Sequence, residues 1–464
     1  MKTKLFFGLI ISALFIMSSQ AQTLELWGTS SAGFNGKSDG CIYKTDANGN
    51  NKEVIYQFSS SDGGINGYLP SGGLLQATNK KLYGTCFAGG ENDCGVIFEY
   101  DPANSTYTKL YDFVESEGKR SRATMIQATN GRLYGVAEKG GLSDWGTLFE
   151  YDIENHQYTV LNYFNSGDGR WPNGTLLQAN NGKLYGCADA GGAMGYGVLY
   201  EYNIDSSKYT VLESFYESSN GKGPNGGLIQ ADNGKIYGTA TVGGDNYNGV
   251  IFEYDIEADT LKKVFDFNWN EDGRYPLGGL VQIADGSLMG MTYGGGDNLG
   301  GIIYSFNISD YSLTKLVSLA SAFNPVTGFF QASTGKLYAA FTGSSYIGGI
   351  FEYDMETETV TIKVYGGSPY SKLIEIEGSN NAIDESLIKD HIRLYPNPSH
   401  GTTTLTFDEG IAVHQINIWS IEGKLLREYP HIDSQTLDID LPNGLYLVEV
   451  ITKDSKRVLK FIKE

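Results

Sequence analysis

The sequence predicts an all-β chain, a seven-bladed β-propeller followed by a small Ig-like β-sandwich. Three observations predict it. A triplet of aliphatic, aromatic and glycine recurs along the chain at a spacing of about 50 residues. Each recurrence sits in a unit that reads as four short strands, and no helical periodicity competes. The first unit lacks one strand, and a segment after the seventh unit has the pattern to supply it.

The triplet runs Leu26-Trp27-Gly28, Leu82-Tyr83-Gly84, Leu133-Tyr134-Gly135, Leu184-Tyr185-Gly186 and Ile236-Tyr237-Gly238, then the variants Leu288-Met289-Gly290 and Leu337-Tyr338-Ala339. The fourth unit shows the strands: Leu176–Ala179, Lys183–Gly186, Gly197–Tyr202 and Tyr209–Phe215. Asn181-Gly182 joins its first two strands, and Asn130-Gly131, Asn233-Gly234 and Asp285-Gly286 stand at equivalent places. Such pairs accept the positive φ angles of a tight hairpin. The third strand is apolar almost throughout, as in Val250-Ile251-Phe252, so both faces of each sheet need cover. Radial stacking gives every sheet two neighbours, and a closed ring leaves no bare end. Ser371–Ile376 aligns with Gly72–Ala77 and is expected to close the first blade. Gln76, Gln127, Gln178, Gln230, Gln282 and Gln331 share one first-strand position, with Glu375 as the seventh member; such a ring of amides could hold a ligand, but each is expected to satisfy a neighbouring backbone group near the axis.

Lys2 and Lys4 precede an apolar run, and Ser19-Gln20-Ala21 ends it with small residues, so residues 1–21 read as a secretory signal peptide. The propeller is then expected over 22–378 with its closing strand at 371–376, a polar linker over 379–391 and the sandwich over 392–464. With 54 acidic against 34 basic side chains in 464 residues, the formal charge is −20. That balance argues against nucleic acid as a partner and gives no attraction to an anionic membrane. The mature chain is expected to carry no transmembrane segment. Cys86 and Cys94 flank one short loop and are a disulfide candidate, the alternative being two buried thiols; Cys41 and Cys187 receive no partner.

The elements Leu-Leu-Gln-Ala, Asn-Gly-x-Leu-Tyr-Gly, Ala-Gly-Gly and Gly-x-[Ile/Leu]-[Phe/Tyr]-Glu-Tyr resemble the Gloeobacter/Verrucomicrobia tandem repeat over roughly residues 24–378. The resemblance implies an extracellular propeller-like domain and carries no catalytic motif. The sixth and seventh units depart from it at Tyr304-Ser305-Phe306 and Thr342-Gly343-Ser344. The segment with Tyr395-Pro396-Asn397-Pro398, Asn443-Gly444-Leu445-Tyr446 and a Lys-containing end is similar to the type A C-terminal sorting domain of the type IX (Por) secretion system of Bacteroidota. That similarity implies recognition by the type IX translocon and delivery outside the cell or to its outer surface, with Tyr395, Pro396, Asn397, Pro398, Gly444 and Tyr446 as the sorting motif.

The loops joining a fourth strand to the next first strand carry Lys119, Arg170, Lys222 and Arg274 at one height in four successive blades. They suit an acidic glycan or another carboxylate ligand, the alternative being solvated turn residues or local pairing with Asp168 and Asp272. Trp145, Tyr196, Tyr247 and Tyr346 precede third strands, and Trp171 and Tyr275 join them on the same rim; they suit a sugar face or a partner protein, or else fill gaps between blades. Asn268-x-Asn270-x-Asp272-Gly273 and Asp46-x-Asn48-x-Asn50 resemble parts of a calcium loop but lack its final Glu, so no cofactor or metal is expected, with calcium the one candidate. His156 is the only propeller histidine, and Glu99, Glu150, Glu201, Glu253 and Glu352 repeat at one strand position, as architectural acids do. The sequence therefore favours a binding or scaffold module for a glycan or protein over an enzyme. A polysaccharide-degrading hydrolase or lyase is the alternative, and a purely structural surface-layer component a third reading.

Overall fold

A computed structural model describes residues 24–32, 39–61, 63–321, 323–343, 348–368, 371–377, 392–395, 403–407, 413–420, 424–432, 436–452 and 456–463. The expected signal peptide and linker, Pro396, Asn397, Pro398 and Tyr346 lie outside them. The chain divides into two compact units, Met1–Gly378 and Ser379–Glu464.

Among the described residues, the first unit contains seven four-stranded antiparallel sheets. Six follow the chain in order, as in Leu177–Gln178, Leu184–Ala188, Val198–Asn203 and Lys208–Ser214. The hairpin between the first two strands forms as its turn residues dictate. Gly182 has φ 80°, and Ala179 N–H donates to Lys183 O at 3.0 Å. The triplet glycine is required by packing: a Cβ on Gly238 would lie 2.4 Å from Phe252 Cζ. Small residues on the second strand thus let the large aromatic of the third lie flat across it.

The remaining sheet contains Leu24–Ser30, Cys41–Asp46 and Glu53–Gln57, and its inner strand is Ile374–Glu377. That strand pairs antiparallel with the first, from Leu24 opposite Glu377 to Trp27 opposite Ile374. Its two faces fill different cores. Leu373 packs with Leu26 and Tyr43 against Tyr338 and Val364 of the last sheet. Ile376 packs with Trp27 and Ile42 against Leu82 and Phe98 of the second. Five further cores join second to third, third to fourth, fourth to fifth, fifth to sixth and sixth to seventh sheets. The set of sheet-to-sheet cores is therefore cyclic, and Ile374–Glu377 pairs with Leu24–Ser30 to complete it.

The glutamine position staples neighbours together. Gln178 Oε1 accepts Thr129 N–H of the preceding sheet at 2.9 Å, while its Nε2 donates to Gly182 O of its own hairpin at 3.0 Å. Gln127, Gln230 and Gln282 accept the N–H of Thr78, Asn180 and Asp232 in the same way. Glu375 continues the series by accepting Ser333 N–H at 2.9 Å and Ser333 Oγ at 3.1 Å. The repeated glutamates are likewise structural. Each takes a cation from its own hairpin, Lys81, Arg132, Lys183, Lys235 or Lys336, and Glu253 and Glu352 also accept Tyr237 and Tyr338 hydroxyls.

The disulfide expectation is corrected here: Cys86 and Cys94 form no disulfide, nor do Cys41 and Cys187, and all four are buried. Cys86 ends a strand and faces the core shared with Trp27. Cys94 closes the loop that crosses the sheet and enters the opposite core beside Met125 and Tyr151. A loop that changes faces separates the two thiols however short it is.

The second unit has a three-stranded sheet of Ile392–Tyr395, Thr403–Phe407 and Thr436–Ile439, and a four-stranded sheet centred on Val413–Ser420 and Gly444–Thr452. Leu405 and Ile439 of the first share one core with Ile416, Ile418, Val448 and Val450 of the second. Tyr395 ends its strand, Gly444 starts another, and the buried Tyr446 donates its hydroxyl to Pro442 O at 2.7 Å.

Candidate ligand-binding rim and axial cavity

The loop before each inner strand pairs with the loop between second and third strands of the same sheet, and the four predicted cations sit at that junction. Lys119, Arg170, Lys222 and Arg274 bridge Lys139, Ala190, Val242 and Gly294, respectively. A second bond links neighbouring sheets: Trp171 N–H donates to Trp145 O and Tyr275 N–H to Asn248 O, each at 2.8 Å. Trp171 and Tyr275 adopt φ 59° and 58°, which turns each ring back toward the cation before it.

The structure divides the cations into two kinds. Lys119 is ion-paired with Glu115 and, at 3.1 Å, with Asp144; the hydrogen bond it donates to Glu115 raises its pKa. Lys222 pairs with Glu217 at 3.3 Å. Arg170 and Arg274 have no carboxylate partner among the described residues, and the Nε of each is buried and unbonded. Arg170 instead lies 5.6 Å from the Trp145 ring centroid and 5.1 Å from that of Trp171; Arg274 lies 3.8 Å from Trp269 and 4.9 Å from Tyr275. Asp168, a possible neutraliser, is turned away: it accepts Asn165 N–H and Nδ2, both at 2.6 Å. Burial raises the carboxyl pKa of Asp168, Asp272 and Asp189.

The aromatics mostly serve those cations rather than standing free. Tyr196 lies under Lys222 at 5.1 Å, and Trp171 also receives Lys139 at 4.3 Å. Tyr247 differs, being 60% exposed at its loop tip. Trp269 and Lys139 were not singled out by the sequence reading. Trp269 opens the short helix Trp269–Asp272, capped by Asn268, in the stretch that resembles a calcium loop. Its oxygens close that turn: Asn268 O accepts Asp272 N–H at 2.7 Å. In the fainter stretch, Asp46 accepts the N–H groups of Asn48 and Asn50. Among the described residues, no cluster of three His, Cys, Asp or Glu side chains forms a metal site, and no helix is long and apolar enough to cross a membrane.

The inner strands surround an axial cavity of about 670 Å³. Three residues before each staple position, one residue per sheet lines it: Gly73, Thr124, Thr175, Gly227, Gly279, Gly328 and Lys372. Lys372 is the one long side chain in that series. Water in the cavity reaches it, yet protein surrounds it, and burial pushes its ammonium pKa down to about 8.

The chain matches the Gloeobacter/Verrucomicrobia repeat over residues 16–181 and again over 172–384, and the secretion system C-terminal sorting domain over 393–464. No curated protein matches it. Among solved structures it is similar to a candidate 6-phosphogluconolactonase from Bacteroides uniformis, at 15% identity and TM-score 0.53, covering 76% of this chain and 100% of that one. The periplasmic gluconolactonase of Pseudomonas aeruginosa gives 14% identity and TM-score 0.53, covering 76% and 99%. The extracellular domain of a candidate one component system from B. thetaiotaomicron gives 12% identity and TM-score 0.47; 85% of this chain is covered, and this chain spans 56% of that one. At such identities the likeness is one of fold, all-β and propeller-like.

Proposed function

The chain belongs to the Gloeobacter/Verrucomicrobia repeat family and ends in a sorting tail that directs type IX export to the cell surface or extracellular space, and from that premise we propose that it is a secreted binding module for acidic glycans. In this reading residues 1–21 are a cleaved signal peptide, 22–378 a seven-bladed propeller, 379–391 a linker, and 392–464 an Ig-like sandwich read by the translocon. The rim binds and the tail delivers.

One observation carries the reading: Arg170 and Arg274 are held between aromatic rings with no carboxylate of the protein beside them among the described residues. Stacking fixes the planar guanidinium while leaving its N–H groups for a ligand carboxylate, and the rings beside it offer apolar faces to a sugar. The test is a glycan array with uronate-containing and neutral glycans. Wild type is expected to retain the acidic set. A charge-assisted contact contributes about 1.5–3 kcal/mol, so Arg170→Glu with Arg274→Glu should lower affinity by a hundredfold or more. Lys119→Glu should change little, its charge being already matched. Equal retention of neutral glycans, or undiminished binding by the double variant, refutes the reading.

A protein ligand is the second reading, favoured by the loop tips of four successive sheets. Leu142, Met194, Tyr247 and Leu299 are exposed at 81%, 59%, 60% and 61%. Exposed apolar residues arrayed on one rim are a usual mark of a protein contact. A partner that binds equally well after Leu142→Ser with Leu299→Ser would not be using this face.

A further inference from the structure

We propose that the axial cavity is a second site, separate from the rim, for one small hydroxylated carboxylate such as a sugar acid, with its carboxylate on Lys372 and its hydroxyls along the wall that carries Thr124 and Thr175. The proposal stands whether or not the rim binds glycans.

Position argues first. In the axial series the other six residues are glycine or threonine, and the contact between neighbours is close. A Cβ on Gly73 would lie 2.5 Å from Thr124 Oγ1, and one on Gly328 would lie 2.8 Å from Lys372 Cε. The lysine stem thus crosses the glycine of the adjacent sheet and carries its ammonium along the cavity wall. A residue that occurs once in a sevenfold repeat is not explained by the repeat.

Charge argues second. Three charged side chains line the cavity: Arg122, Glu375 and Lys372. Arg122 is paired with Glu138 at 2.6 Å, and Glu375 is occupied by Ser333. Among the described residues Lys372 has neither an ion pair nor a hydrogen bond. An ammonium on the cavity wall with no counter-charge leaves its attraction for an anion unmet, and the enclosing low-dielectric walls strengthen that attraction. One unmatched cation suits a monoanionic carboxylate better than a phosphate dianion. Size and polarity argue third. A cavity of about 670 Å³ has the volume of a small-ligand site. Thr124 and Thr175 line it and present hydroxyl-bearing side chains to a hydroxylated ligand.

Calorimetry on the full chain, with galacturonate, glucuronate and gluconate as probes and glucose, acetate and inorganic phosphate as controls, tests this. At least one sugar acid is expected to bind at least tenfold more tightly than glucose or acetate. Lys372→Met should weaken it thirtyfold or more while the melting temperature stays level or rises, since an unpaired charge has been removed. Thr175→Val should weaken it several-fold. Affinity should fall as pH rises through about 8, where the ammonium loses its proton. Binding of no sugar acid, phosphate binding above all carboxylates, acetate binding equal to the sugar acids, or unchanged affinity in Lys372→Met each overturns the proposal. So does a large fall in melting temperature in Lys372→Met, which would make the lysine a structural plug.

Discussion

Truncating Leu373 and Ile376 to alanine together tests whether the first sheet is completed by the segment that follows the seventh sheet. Leu373 is 3% exposed and Ile376 2%, and they lie in the two different cores that flank that sheet. Each buried aliphatic-to-alanine change costs about 2–5 kcal/mol. Because the cores are separate, the costs should add to about 4–10 kcal/mol. A whole domain is typically stable by only about 5–15 kcal/mol, so the double variant should approach global unfolding. Ile362→Ala is the control: it lies on the outer strand Thr359–Tyr365, 46% exposed, and should cost under about 1 kcal/mol. Urea unfolding followed by circular dichroism reads the difference. With a slope near 3 kcal/mol/M, the double variant's midpoint should fall by more than about 1 M. A midpoint equal to wild type would mean that this strand holds nothing together, and the cyclic architecture would fail with it.

Three other outcomes follow from the same geometry. Burial raises the Glu253 carboxyl, but hydrogen bonds from Lys235 and Tyr237 outweigh it and hold the pKa below the usual carboxylate range. Its contribution is complete above about pH 4.3 and is lost as pH falls through the folded value; Glu253→Gln should therefore flatten the acid limb of melting temperature against pH, and parallel curves would refute the assignment. Burial raises the thiol pKa of Cys86 and Cys187, so a thiol reagent should label no cysteine quickly in the native protein and four after unfolding; two would restore the Cys86–Cys94 bridge. Deleting residues 392–464 should leave the protein in the periplasm, and normal surface delivery would refute the sorting role.

What the sequence made legible is what the repeat enforces. Gly238 must be small because Phe252 covers it, and Gln178 must reach two hairpins, so both recur and both can be read from spacing alone. The neutralisation of Lys119 was not legible. Its partners Glu115 and Asp144 lie in two different loops and recur in only some units, and only the folded rim brings them to it. The faces of Cys86 and Cys94 were hidden for a related reason: strand alternation gives the side for a residue inside a strand but not for one that ends a loop. Trp269 carried a signal that pointed elsewhere, since the oxygen-rich residues around it form an N-capped turn. Lys372 was visible in the alignment of Ser371–Ile376 with Gly72–Ala77, where it replaces a glycine. Only the cavity gives that replacement a meaning.

The closing strand is also where such a replacement is best tolerated. Inner strands of the other sheets are two-residue segments such as Leu75–Gln76, held next to their partners by a covalent hairpin. Ile374–Glu377 has no such turn to its partner and compensates with four paired positions. Its staple is stronger as well, since Glu375 accepts both donors of Ser333 with a charged group. These extra contacts are needed to join ends so distant in sequence, where loop-closure entropy opposes the pairing. They also anchor the backbone that holds Lys372 at the axis, so the cost of a partly desolvated ammonium falls on the inner strand with the most pairing to offset it. A lysine at Gly227 or Gly279 would meet no such support, and on Gly279 its Cβ would already lie 2.8 Å from Gly227 O.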